Sequence, residues 1–142
     1  MTPLEGVKTQ EVGRRLEDKV ERILRSKGFE MFRIKTDGDI LARKDGKLYV
    51  VEVKKAHKHR RSIRVGFSKR CLTHMAEFCR FLNATPVLIA ELNGEIRVVM
   101  NWVDVTKYTK KEWLDSHKWH GGRICIINSL WERGVDINDF SL

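Results

Sequence analysis

No apolar run in the 142-residue chain approaches the roughly twenty residues of a membrane-spanning helix, and the opening MTPLEGVKTQ lacks the hydrophobic stretch of a signal peptide. The expectation is a soluble, intracellular protein, placed in the cytoplasm or nucleoid, or in a host cytoplasm for a viral source. Cysteine is scarce. Cys71, Cys79 and Cys125 are odd in number and form no CxxC pair, which argues against a disulfide framework and for reduced core thiols. Structural zinc is poorly served as well, because His117 and His120 have no cysteine or further acid at ligand spacing. Gln10 is the single glutamine among abundant Lys, Arg and Glu, a balance that fits a thermophile. No repeat or low-complexity linker is visible, and the length suits one domain, 1–142.

The chain is also short of acid in one place. From Lys54 to Arg70 the sequence KKAHKHRRSIRVGFSKR holds no Asp or Glu, within a chain of 28 Lys and Arg against 19 Asp and Glu and a formal charge of +9. Such an excess favours a polyanionic partner, above all nucleic acid. A membrane surface ranks lower, since no strongly amphipathic terminal helix stands out. The basic run supplies Lys55, Lys58, Arg60, Arg61, Arg64, Lys69 and Arg70 as candidate phosphate contacts. Such contacts give affinity and register rather than sequence choice.

Just before this run lies GDILARKDGKLYVVEVKK, Gly38 to Lys55. Two β-forming stretches flank Asp45-Gly46, a dipeptide suited to a tight two-residue turn because both positions tolerate positive φ. Such a turn pairs residues whose numbers sum to 91: Lys44 with Lys47, Leu41 with Val50, and Asp39 with Glu52. Directly opposed residues lie about 4.5–5.5 Å apart at Cβ. Two carboxylates there repel by about 3 kcal/mol at an effective dielectric of about 20, unless a cation sits between them. Period two puts Lys54 on the face of Glu52 and turns Val51 and Val53 the other way, into a core. Asp39, Glu52 and Lys54 together have the chemistry of a divalent-metal site that handles phosphate. The ordinary use of such residues is a solvated charged face; here the acids sit at strand ends with apolar Leu41 and Val50 between them. Asp37, opposite Lys54 in an extended ladder, is the rival ligand to Asp39. A bulge at Gly46 would shift the register and part the two acids.

Around the hairpin, Val12, Leu16, Val20, Ile23 and Leu24 recur at helical spacing and predict a helix from Lys8 to Lys27, stopped by Gly28. Glu17 falls at the margin of its apolar stripe and Glu21 farther toward solvent. Gly13, inside the helix, costs about 1 kcal/mol relative to Ala and suggests close packing or a nearby phosphate. Glu30 to Lys35 reads as a first strand. Ser68 caps a second helix reaching Asn83, with Leu72, Met75, Ala76, Cys79 and Leu82 inward. Pro86 to Leu92 reads as a buried strand that turns at Asn93-Gly94 into Glu95 to Met100. Beyond Met100 come four tryptophans, Trp102, Trp113, Trp119 and Trp131, an amphipathic piece near Lys110 to Ser116 and an apolar run from Ile124 to Ile127. Core packing is the commoner use of such tryptophans. The core thus spans about 8–100, with 101–142 a Trp-rich extension.

An Asp at the start of one strand followed by Glu-x-Lys at the end of the next resembles the PD-(D/E)xK nuclease superfamily, matched by Asp39, Glu52 and Lys54. Gly38 stands where the family's proline would be. The segment GRRLEDKVERILRSKGFE resembles the superfamily's first helix, and by that match Glu17 is a fourth acid. Lys69 occupies a place where members often carry an extra Lys or Gln. The resemblance implies an α/β, restriction-endonuclease-like fold: a mixed sheet flanked by helices, in the order α-β-β-β-α-β-β plus the C-terminal extension. It implies Mg²⁺, with Mn²⁺ able to substitute, held by Asp39, Glu52, the carbonyl of Val53 and Glu17, with Lys54 orienting water or stabilising the phosphate.

In length, basicity and element order the stretch from Gly13 to Met100 is similar to the archaeal Holliday-junction resolvase family. That likeness implies a homodimer acting on branched DNA. It departs in the short loop before Asp39 and in having no counterpart of the family's serine-bearing loop. Two alternatives stay open: a general, Mrr-like or viral DNA endonuclease, and a non-catalytic basic nucleic-acid-binding protein on the same scaffold.

Overall fold

The computed structural model describes residues 3–34, 40–67, 69–103, 105, 118–120 and 124–141. Helix α1 (Pro3–Ser26) is followed by β1 (Glu30–Arg33), β2 (Ile40–Lys44), β3 (Lys47–Lys55), β4 (His57–His59) and β5 (Ser62–Gly66). Then come α2 (Lys69–Leu82), β6 (Thr85–Leu92), β7 (Glu95–Met100), β8 (Lys118–His120), β9 (Ile124–Ile126), α3 (Asn128–Arg133) and β10 (Val135–Asp136). The expected mixed α/β architecture is present. A six-stranded sheet runs β1-β2-β3-β6-β7-β10, with β3 and β6 parallel across the α2 crossover and the other neighbours antiparallel.

Each face of this sheet is closed by one helix because strand residues alternate. Leu16, Val20 and Leu24 of α1 cover Ile40, Ala42, Tyr49, Val51, Val53 and Ile89. Leu72, Met75, Ala76 and Cys79 of α2 cover Val50, Leu88 and Ala90 on the other side. The turn chemistry fixes the hairpins. Asp45 (φ 51) and Gly46 (φ 76) both take positive φ, as do Asn93 (φ 51) and Gly94 (φ 86), the backbone of two-residue turns matched to strand twist. The β2–β3 register is Ile40↔Val51, Leu41↔Val50 and Lys44↔Lys47, so partners sum to 91 and no bulge intervenes at Gly46.

Several expectations gain detail in the structure. The basic run carries two strands: β4 and β5 form a hairpin, and β5 pairs with β9 in a second sheet ordered β4-β5-β9-β8. Of the described residues after Met100, Trp102 and Trp131 are buried in the α2-side core, as expected of such tryptophans, and β10 adds to β7. Close packing does not explain Gly13, since a Cβ there meets nothing within 4 Å. Cys79 and Cys125 are buried, whereas Cys71 is exposed. Burial pushes the Cys125 thiol up to about 11. Ser68, Trp113, His117 and the Lys110 to Ser116 piece lie outside the described residues, as do the side chains of Lys69 and Trp119. Among the described residues no helix is long and apolar enough to cross a membrane.

Candidate active site

The C-terminal end of β3 is where the candidate chemistry gathers. There β3 has β2 on one side and parallel β6 on the other, with Glu52 opposite Leu88 and Lys54 opposite Ala90 in register with β6. Crevices beyond the carboxyl ends of parallel strands are the usual place for ligands in such sheets. Glu52 is 7% exposed, an unusual environment for a carboxylate. Its Oε1 lies 3.4 Å from the Lys54 ammonium. Period two puts both on one face, as the sequence predicts. Lys54 has an aromatic neighbour as well, since its Nζ lies 5.2 Å from the centroid of the Phe67 ring, and Phe67 packs edge-on against Trp102. Phe67 was not singled out in the sequence. The available signal was an aromatic closing a basic run.

Glu17 reaches this end of the sheet from α1. It is half-buried, and burial raises its carboxyl above the ordinary 4.5, while Arg33, Lys54 and Arg14 pull it down and Asp18 pushes it up. Lys54 therefore acts electrostatically on Glu17 as well as on Glu52. Arg33, the last residue of β1, sits under the acidic stripe of α1: its guanidinium donates to Asp18 and Glu21 at 2.7 Å each and lies 4.0 Å from Glu17. Arg33 also reverses one expectation. The Glu21 side chain is 23% exposed and that of Glu17 30%, so Glu21 does not lie farther toward solvent. Arg25, one turn on, clasps Glu21 from the helix side at 3.0 Å.

Asp39 and its rival Asp37 lie outside the described residues. Among the described residues no three His, Cys, Asp or Glu side chains converge as a metal site. The basic candidates divide. Lys58, Arg60, Arg61 and Arg70 are exposed, Arg64 donates to the Ser62 hydroxyl at 2.8 Å, and Lys55 lies 3.9 Å from Glu91. The structure thus sets a buried acid and a pinned lysine at the root of an exposed basic hairpin.

Comparison with known proteins bears on the family and the fold. A family model described as archaeal Holliday junction resolvase (Hjc) matches residues 8–118. The solved structure of Hjc from Archaeoglobus fulgidus, a Holliday junction resolvase from an archaeal hyperthermophile, superposes with a TM-score of 0.62 at 19% identity. The match covers 88% of this chain and 96% of that one, a likeness of fold. No curated protein matches the sequence.

Proposed function

The chain belongs to the archaeal Holliday junction resolvase family, structure-selective nucleases acting on branched DNA, and from that premise we propose how its own residues do the work. The observation that carries the reading is the buried Glu52 carboxylate held 3.4 Å from Lys54 at the end of β3. A carboxylate removed from water needs a cation. Glu52 has the hard oxygen chemistry that suits a divalent metal, and the residues that would hold one are Glu52, the Val53 carbonyl, Asp39 and Glu17. A bound Mg²⁺ supplies a Lewis acid for the phosphoryl oxygen and a lowered pKa for its water.

The remaining work falls to the chain. Lys54, restrained between Glu52 and Phe67, presents one ammonium to the phosphate and offsets charge that develops on it. Phe67 keeps that ammonium from swinging into solvent. Glu17, through its half-buried position, borders the same crevice from the α1 side. The exposed bases of the β4–β5 hairpin hold the DNA backbone beside it. A homodimer gives two such crevices related by a twofold axis, as paired cuts on a four-stranded junction require.

The test is incubation with Mg²⁺ of a synthetic four-way junction, a linear duplex and single strands of the same sequence. Paired symmetric nicks in the junction, with the linear substrates intact, are expected. Equal cutting of linear duplex contradicts the resolvase reading, and binding without cleavage contradicts the catalytic one.

A further inference from the structure

The basic hairpin is braced by a part of the chain that lies beyond the family match. Strand β5 bonds to β9 through Arg64↔Ile126, Val65↔Cys125 and Gly66↔Ile124. Asn128, the first residue of α3, then grips the hairpin twice. The Ile63 amide donates to its Oδ1 at 2.8 Å, and its Nδ2 donates to the Arg61 carbonyl at 2.7 Å. Beside it the Ile127 amide donates to the Ile63 carbonyl at 2.8 Å. One carboxamide supplies donor and acceptor together, which is what bracketing two backbone groups of a neighbouring strand requires. Beneath the brace, Val65, Phe67, Cys125 and Ile127 are buried in the α2-side core.

Above the brace the hairpin is bare. His57, Lys58, His59, Arg60 and Arg61 are all exposed, and none has a carboxylate partner among the described residues. Its turn is also unlike the other two. Arg60 adopts φ 57, in the left-handed region that Asp45-Gly46 and Asn93-Gly94 fill with favoured residues. A residue with a Cβ is disfavoured there, because the left-handed backbone brings that carbon close to the following carbonyl oxygen. Asn or Gly would relieve the cost, so the turn gives up stability to keep a guanidinium at its apex, a pattern expected where a site is functional.

We infer that the C-terminal segment, acting through Asn128, holds the β4–β5 hairpin as a preformed phosphate-binding ridge for the DNA backbone, which makes Asn128 a positioning residue for substrate. This rests on the reading that the basic run contacts DNA. A ridge fixed in advance keeps its ordering cost out of the binding step. Arg60 and Arg61 then release counterions from the backbone without first having to be arranged.

The experiment measures equilibrium binding of the full chain to a fluorescent four-way junction in chelator, across a series of salt concentrations. Variants are Arg60→Ala/Arg61→Ala, Asn128→Ala, the combination of all three, and Arg60→Asn. The arginine pair is expected to flatten the log–log salt dependence by about 1.8, at about 0.9 per lost phosphate contact. Asn128→Ala is expected to weaken binding about tenfold and flatten the same slope, yet to add less than about twofold once both arginines are gone. Arg60→Asn is expected to weaken binding while raising Tm. Should Asn128→Ala not melt cooperatively, Asn128→Ser takes its place. An unchanged slope in the arginine pair overturns the DNA reading of the run, and the inference with it. A flattened slope there, with Asn128→Ala at the wild-type value or with its loss undiminished in the combination, overturns the inference alone.

Discussion

The β2–β3 hairpin turns through Asp45-Gly46 and hides its acid, Glu52 at 7% exposure, whereas the β4–β5 hairpin turns through Arg60-Arg61 and leaves its apical bases in solvent. The two follow one another along the same chain, with only Ala56 between β3 and β4. On the proposed function their difference separates two tasks. Hydrolysis needs a charge that is dry and fixed, since burial strengthens every electrostatic interaction made there. Holding a polyanion needs charge that is wet and reachable, with no carboxylate to neutralise it first. One hairpin is therefore favourable in its turn and costly in its buried acid. The other is costly in its turn and open in its bases.

The largest effect that sharpens this contrast is on chemistry. Glu52→Gln is expected to lower junction cleavage by about 10³-fold in Mg²⁺, since a metal-held charge supplies several kcal/mol of transition-state stabilisation. Single-turnover cleavage measures it, and a loss smaller than about tenfold breaks the assignment. Next comes the turn. Gly46→Ala forces a side chain into φ 76 and is expected to cost about 1 kcal/mol by denaturant titration, the opposite sign to the Arg60→Asn change in the second hairpin. Equal signs for the two would mean that turn strain does not distinguish the hairpins.

The smallest effect concerns Glu17, whose carboxyl is raised above 4.5 chiefly by burial. Its ionisation is thus harder in the folded chain than in the unfolded one, so the charge costs stability once the pH rises above 4.5. In chelator, Glu17→Gln is expected to melt slightly above wild type at neutral pH. That advantage should shrink as pH falls through the raised value and vanish below 4.5, where both states of wild type are protonated. A Tm difference that grows on acidification contradicts the sign.

What could be read in advance follows the range of the interactions. The Asp45-Gly46 register was legible because a two-residue turn fixes pairing locally, and it holds out to Ile40↔Val51. The hydrophobic periods of α1, α2, β6 and β7 are local in the same sense. The second sheet was not legible, because β5 finds its partner β9 about sixty residues later and its short basic strands carry little apolar pattern. The two-residue β10 was hidden for the same reason: Val135 and Asp136 become a strand only against Val98 and Arg97 of β7. At the site, Glu52 and Lys54 were legible as a pair, but the Phe67 ring under Lys54 and the Arg33 clamp on α1 come from other elements and left no local mark.

The claim that chemistry and grip reside in different hairpins is tested most directly by the affinity of Glu52→Gln for a four-way junction in chelator. The account expects a Kd within about threefold of wild type and an unchanged salt slope, since the carboxylate it removes pairs with Lys54 and with none of the exposed bases at the tip of the β4–β5 hairpin. A loss of binding beyond about tenfold, or a flattened slope, would show that the buried acid and the basic hairpin act as one site.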